Sequence, residues 1–112
     1  MTYGAIEQEV RTLVNDTAEP YRFRSQDIWR FIVKAVRHLR AIHPSERYGE
    51  NGLIDDTIPT PASDADVRIG EKYEDAIVKY AAYQVYELDM TDTENFQIAE
   101  ALRARAETLM QL

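Results

Sequence analysis

The stretch 26–42 constrains this chain most, because its apolar residues recur with the period of an α-helix. At about 100° per residue, Ile28, Phe31, Ile32, Ala35, Val36, Leu39 and Ile42 share one side, and Arg30, Lys34, Arg37 and Arg40 share the other, with Trp29 at the border. Ser25 is placed to cap the start, and Asp27 lies in the first turn, where a carboxylate meets the positive end of the helix dipole. Pro44 stops the element, since proline cannot continue a helix. A helix this lopsided gains little stability alone and needs other elements to cover its apolar face.

The rest of the chain supplies them. Thr2 can cap a first helix reaching to about residue 16, with Ile6, Val10, Leu13 and Val14 on one side. Pro20 breaks it and biases Glu19 toward extended backbone. Gly70 precedes a third helix over 71–89, in which Tyr73, Ala76, Ile77, Val78, Tyr80, Ala81, Ala82, Tyr83, Val85, Tyr86 and Leu88 leave little polar face, so it is expected to be wrapped on several sides. Thr91-Asp92-Thr93-Glu94 fits a capping box, after which Phe96, Ala99, Leu102, Ala106, Leu109 and Met110 recur at helical spacing to the end. Between the second and third helices, residues 43–69 hold Gly49, Gly52, Pro59 and Pro61 with little periodicity, and they exceed the ~12–15 residues usual for a structureless loop in a compact domain. They read as a binding loop or as a segment mobile in the isolated chain, in which pairing of 52–58 with 67–69 would make a small β-hairpin. The expectation is one all-α domain over residues 1–112, with four helices and a long inter-helix loop. Its expected core joins Ile6, Val10, Leu13, Ile28, Phe31, Ile32, Val36, Leu39, Ile77, Tyr80, Ala81, Val85, Phe96, Ala99 and Leu102.

Several kinds of chemistry drop out at this point. Without cysteine there is no disulfide or thiolate chemistry, and His38 and His43 are spaced so that they do not stack on one helical face. Both read as surface or helix-end residues. Asp55-Asp56, with Asp64 and Asp66, lack the alternation and closing glutamate of a calcium loop and read as a solvated acidic loop. No Gly-rich phosphate loop, Gly-x-Ser-x-Gly elbow or His-Glu-x-x-His pair occurs, so the chain is read as a non-enzyme with no cofactor and no metal. No apolar run approaches the roughly 18–20 residues of a membrane span, and the chain does not open like a signal peptide. Tyr73, Tyr80, Tyr83 and Tyr86 could form a base-stacking platform, but their helical spacing among alanines and the lack of a basic groove favour packing.

Charge is unevenly placed. The chain carries a net −7, the wrong sign for binding nucleic acid with its whole surface. Yet from Arg22 to Arg47 seven cations face only Asp27 and Glu46, a local +5 that leaves −12 for the remainder. The stripe Arg30, Lys34, Arg37, Arg40 has no acidic residue at the i+4 spacings. It is a solvated face, a phosphate contact or a subunit interface. An interface is the expectation: the stripe would lie on a neighbour's acidic surface, such as the helix bearing Glu71, Glu74, Asp75 and Glu87.

Two blocks of this sequence resemble the head–tail connector, or adaptor, proteins of tailed bacteriophages. The first is Val14-Asn15-Asp16-Thr17, then Tyr21-Arg22-Phe23 leading into Asp27-Ile28-Trp29 and the amphipathic helix ended by Pro44. The second is Tyr73-Glu74-Asp75-Ala76-Ile77-Val78-Lys79-Tyr80, followed by Tyr86-Glu87-Leu88-Asp89, Asn95 and the alanine-bearing last helix. Together they span about two thirds of the chain. The middle departs from the pattern, since many members carry a longer β-rich insertion where this chain has only 43–69.

The resemblance implies a helical subunit of a homo-oligomeric ring, commonly of twelve copies, in the neck of the virion and assembled in the host cytoplasm. Such a ring docks under the portal protein, presents a platform to the next neck or tail protein, and lets DNA pass through its lumen unread. Connectors similar to this one engage neighbours through inter-helix loops and termini, which here singles out Tyr48, Ile54 and Ile58 in the loop and an apolar tip of Leu109, Met110 and Leu112. The competing reading is a small helical nucleic-acid-binding or regulatory module using Arg22, Arg24, Arg30, Lys34 and Arg37.

Overall fold

A computed structural model describes residues 1–48, 52–54, 57–88 and 93–112, with backbone alone for 93 and 94. It contains four α-helices: α1 (Tyr3–Leu13), α2 (Ser25–Ile42), α3 (Glu74–Leu88) and α4 (Thr93–Met110). Short 3₁₀ turns at Pro44–Arg47 and Glu71–Tyr73 follow α2 and lead into α3. The all-α expectation is met. The capping box over 91–94 and the acidic pair Asp55-Asp56 lie outside the described residues.

α1 starts where its cap predicts, with the Thr2 hydroxyl accepting from the Ala5 N–H at 3.1 Å. It ends at Leu13, earlier than its apolar pattern suggests. Asn15 takes the left-handed backbone at φ 57°, a conformation asparagine tolerates, and the Asn15 and Asp16 N–H groups donate back to the Thr12 and Arg11 carbonyls at 3.3 and 2.8 Å. This is a Schellman stop, which satisfies carbonyls the helix end would otherwise orphan.

The turn that follows is bolted to α1 by a buried polar cluster. Arg11 is fully buried, and Glu7 and Asp16 nearly so. The Arg11 Nε donates to Glu7 at 2.8 Å, its Nη1 to Asp16 at 2.7 Å, and its Nη2 to the Ser25 hydroxyl at 3.3 Å, while Ser25 donates to Glu7 at 2.9 Å. Asp16 also accepts the Arg22 and Phe23 N–H groups at 2.9 and 3.2 Å. The Tyr21 ring lies 3.9 Å from the guanidinium. Ser25 is therefore the first residue of α2, with Arg24 at the N-cap, instead of the expected cap. Its hydroxyl is spent on the tertiary cluster.

α2 runs to Ile42 and is closed as expected by Pro44. α3 packs against α1, α2 and α4, which explains why its apolar residues leave so little polar face. The shared core holds Tyr3, Ile6, Val10, Val14, Ile28, Phe31, Ile32, Ala35, Val36, Leu39, Ile77, Ala81 and Val85. Two expected members are exposed, Leu13 at 41% and Phe96 at 50%, while Tyr80 and Leu102 are half-buried against the core and Ala99 is buried outside this cluster. At the end of α1, Val14 turns inward and Leu13 is left at the edge. α4 buries Ala99 and Ala106 and meets the main core through Met110, with Leu102 and Leu109 packed against it, all C-terminal to Phe96.

The segment 43–69 divides into two parts. Its second half is a strap along the start of α1: Tyr3 and Gly4 N–H donate to the Ala65 and Ser63 carbonyls at 3.0 Å each, and Val67 N–H donates to the Met1 carbonyl at 2.8 Å. The Tyr3 hydroxyl donates to the Pro59 carbonyl at 3.0 Å, and Val67 is buried. Gly4 permits this approach, because a Cβ there would lie 2.7 Å from the Ser63 carbonyl oxygen. The hairpin of 52–58 with 67–69 does not form among the described residues; isolated bridges pair Tyr48 with Ile54 and Thr2 with Asp66 instead. The strap exists because α1 offers its first backbone N–H groups, which no helical carbonyl can satisfy.

Candidate functional site

The polar face of α2 separates into a ridge and a flank. Arg30, Lys34 and Arg37 are exposed and spaced one turn apart along the ridge. The Arg30 Nη2 donates to Asp27 Oδ1 at 2.6 Å, and the Arg24 Nε donates to the other oxygen of that carboxylate at 3.3 Å. Asp27 thus partners the ridge at the i,i+3 spacing, which a search at i+4 alone passes over. Lys34 sits 5.7 Å from the Phe31 ring centre, and neither Lys34 nor Arg37 makes an ion pair among the described residues. The other side of α2 is locked in the core, so these cations stand on a rigid base.

Arg40 leaves this face. It is buried, and its two terminal nitrogens donate to the Thr57 and Arg68 carbonyls at 3.3 and 3.5 Å, joining two points of the 43–69 segment. Its place in the expected interface is corrected: three residues beyond Arg37 it is rotated by about 60° onto the flank that the loop covers. Arg37, Arg40 and Arg47, with Ala41 and Ile58, line a cleft of about 440 Å³.

The acidic residues of the third helix do not form one patch. Glu71 is exposed. Glu74 is half-buried, 3.6 Å from the amino group of Met1, and Asp75 is exposed and accepts from the Lys79 ammonium at 2.7 Å. Glu87 accepts from the Tyr83 hydroxyl at 2.7 Å, but it lies about 18 Å further along the axis and on another side of the helix. Only Glu71 and Asp75 are neighbours on one exposed side. Sequence reasoning missed a groove of about 260 Å³ between α1 and α3, lined by Glu9, Thr12, Leu13, Asp75, Val78 and Lys79. The signal was present in Glu9 and Leu13 at the i,i+4 spacing, hidden because Leu13 was assigned to the core.

Of the expected docking residues, Tyr48 and Ile54 are 51% and 61% exposed and are joined by their bridge, with Leu53 exposed between them. Ile58 is half-buried at the arginine cleft. The apolar tip is corrected in part: Met110 is fully buried and its carbonyl contacts the His43 Nε2, Leu109 packs half-buried on the core, and only Leu112 is well exposed. The last turn of α4 is spent on the core, which leaves Leu112 as the exposed apolar residue of this tip.

The tyrosines pack, as their spacing suggests. Tyr73 is buried beside the His43 ring, Tyr80 stacks on His38 with ring centres 5.0 Å apart, and Tyr86 donates to the Leu13 carbonyl at 3.2 Å. Burial, then the hydrogen bond and charge of Glu87, push the Tyr83 phenol up to about 12. Among the described residues no group of three His, Asp or Glu side chains is placed to hold a metal ion, and no helix is long and apolar enough to cross a membrane. Compared with known proteins, the chain matches no family model, no curated sequence and no solved structure.

Proposed function

We propose that this chain is a structural subunit of a head–tail connector: a non-catalytic ring of copies, commonly twelve, that sits between the portal and the next neck or tail protein of a tailed phage. DNA passes through its lumen without being read. One observation supports this reading above the others: Arg30, Lys34 and Arg37 stand exposed on a helix whose far side is fixed in the core, in a subunit whose net charge is −7. A rigid cationic ridge on an acidic subunit attracts another copy's surface more readily than it attracts phosphate over the whole molecule. In the loop and at the chain end, Tyr48, Leu53, Ile54 and Leu112 are exposed apolar residues available to the portal and the neck partner. Imaging of the purified protein by negative-stain microscopy, alone and with portal, should show ring-shaped particles in at least the second case. Particles of monomer size in both would count against the proposal.

A nucleic-acid-binding module is the second reading, favoured by the exposure of Arg22 and Arg24 at the start of the helix that carries the ridge. It predicts DNA binding that weakens steeply as salt rises, with a slope set by the number of phosphates neutralised.

A further inference from the structure

We infer that the ridge of one copy seats in the groove between α1 and α3 of the next copy, so that the chain assembles head to tail. This rests on the self-assembly reading above and names the surface that reading leaves open.

Three observations carry it. The groove has a carboxylate on each wall, Glu9 on α1 and Asp75 on α3, and the exposed Leu13 and buried Val78 also line it. Glu9 has no ion pair among the described residues, and Lys79 occupies only one oxygen of Asp75, whose side chain is 60% exposed. Ridge and groove also lie on opposite sides of the molecule. α2 packs on both α1 and α3, so its outward face points away from the core on one side, and the groove, which no α2 residue lines, opens on the other. A surface whose complement lies on the opposite side of the same subunit cannot pair across a two-fold axis. It makes a heterologous contact, which closes into a ring or runs on as a filament.

The chemistry of the fit follows from the side chains. Lys34 and Arg37 carry long aliphatic stems that can cover Leu13 while their charged heads reach Glu9 and Asp75. A helix laid along the cleft between two others is ordinary ridge-into-groove packing. Lys79, the one cation lining the groove among the described residues, works against the incoming ridge, so the contact depends on Glu9 and on the second oxygen of Asp75.

Two charge-reversed variants test this: Lys34→Glu with Arg37→Glu, and Glu9→Lys with Asp75→Lys. All four positions are exposed, so helix content by circular dichroism should match the parent. Sedimentation velocity should show each variant self-associating about tenfold or more weakly than the parent, because like charges then meet across the contact. Mixing the two variants in equal amounts should restore assembly, since each reversed surface meets a complementary one. The restored particles should exceed a dimer. Parent-like assembly of either variant alone, no restoration in the mixture, or a mixture that stops at dimers would each overturn the inference. Rings that ignore both reversals leave the connector reading standing and remove this seat, whereas a parent chain that stays monomeric with and without portal removes both. Ridge reversal that abolishes DNA binding without changing particle size assigns the ridge to phosphate instead.

Discussion

Replacing Arg11 by methionine keeps most of the side-chain volume and removes the cation that Glu7 and Asp16 share. Both carboxylates are nearly buried and Arg11 is wholly so, hence little water can take the guanidinium's place. Asp16 keeps the Arg22 and Phe23 N–H bonds and Glu7 keeps the Ser25 hydroxyl, but two buried negative charges lose their counter-charge. Removing one partner of a buried ion pair costs about 3–5 kcal/mol. That is a large share of the roughly 5–15 kcal/mol that holds a domain of this kind folded. For a chain of this length each kcal/mol moves the melting temperature by about 4 °C, so a fall of about 12–20 °C is expected. Urea unfolding followed by helix content should show a lower midpoint at unchanged slope.

Arg30 supplies the control. Its bond to Asp27, at 2.6 Å, is shorter than either Arg11 ion pair, yet its side chain is 62% exposed. Arg30→Met should therefore cost under about 1 kcal/mol. Adding Glu7→Gln to Arg11→Met removes one of the stranded charges and should recover about 1–3 kcal/mol. An Arg11→Met midpoint within about 1 kcal/mol of the parent, or an Arg30 effect as large as that of Arg11, would refute the claim that burial and not distance sets the worth of these pairs.

Gly4→Ala should lower thermal stability by about 1 kcal/mol or more despite alanine's better helix propensity, because the new Cβ meets the Ser63 carbonyl at 2.7 Å and must push the strap away; an unchanged melting curve would mean the strap does not pack there. The Trp29 indole N–H is buried without an acceptor among the described residues, so Trp29→Phe should cost less than about 1 kcal/mol or even stabilise, and a loss of several would show that the N–H has a partner. Tyr83 is a neutral acid whose folded pKa, about 12, is raised above its ordinary value of 10.0, so its contribution to stability is present below pH 10 and is lost as the pH climbs toward 12. Ultraviolet titration should show tyrosines ionising late, and Tyr83→Phe should remove one such step while leaving that of Tyr3, whose phenol is also pushed up by burial.

The parts of the fold legible in the sequence were those where one signal had no competitor. α2 is long, strongly two-sided and bounded by Ser25 and Pro44, so its face and its end were both readable. Leu13 was not, because two adjacent apolar residues close α1 and only the path of the following turn decides that Val14 goes inside. Arg40 was misread for a related reason: the helix places it near Arg37, but the carbonyls of Thr57 and Arg68 that claim it come from a segment without periodicity. Glu7 and Arg11 carried the clearest missed signal. They stand one turn apart beside Val10 and Val14 on the inward side of α1, and a charged pair there reads as surface unless the need to anchor a following turn is weighed.

These cations divide by what surrounds them, and the division separates folding from assembly. Arg11 and Arg40 are enclosed and hold backbone or carboxylate groups that fix the turn before α2 and the segment after it. Lys34 and Arg37 are open to water and hold nothing ionic among the described residues. Removing either of the first pair should lower the stability of the fold itself, so a loss of assembly there would not report on the interface. Reversing the second should leave helix content and melting temperature close to the parent, since an exposed charge without a partner contributes little to the fold. Any loss of self-association in the second case then reports on the contact between copies and not on the stability of each one.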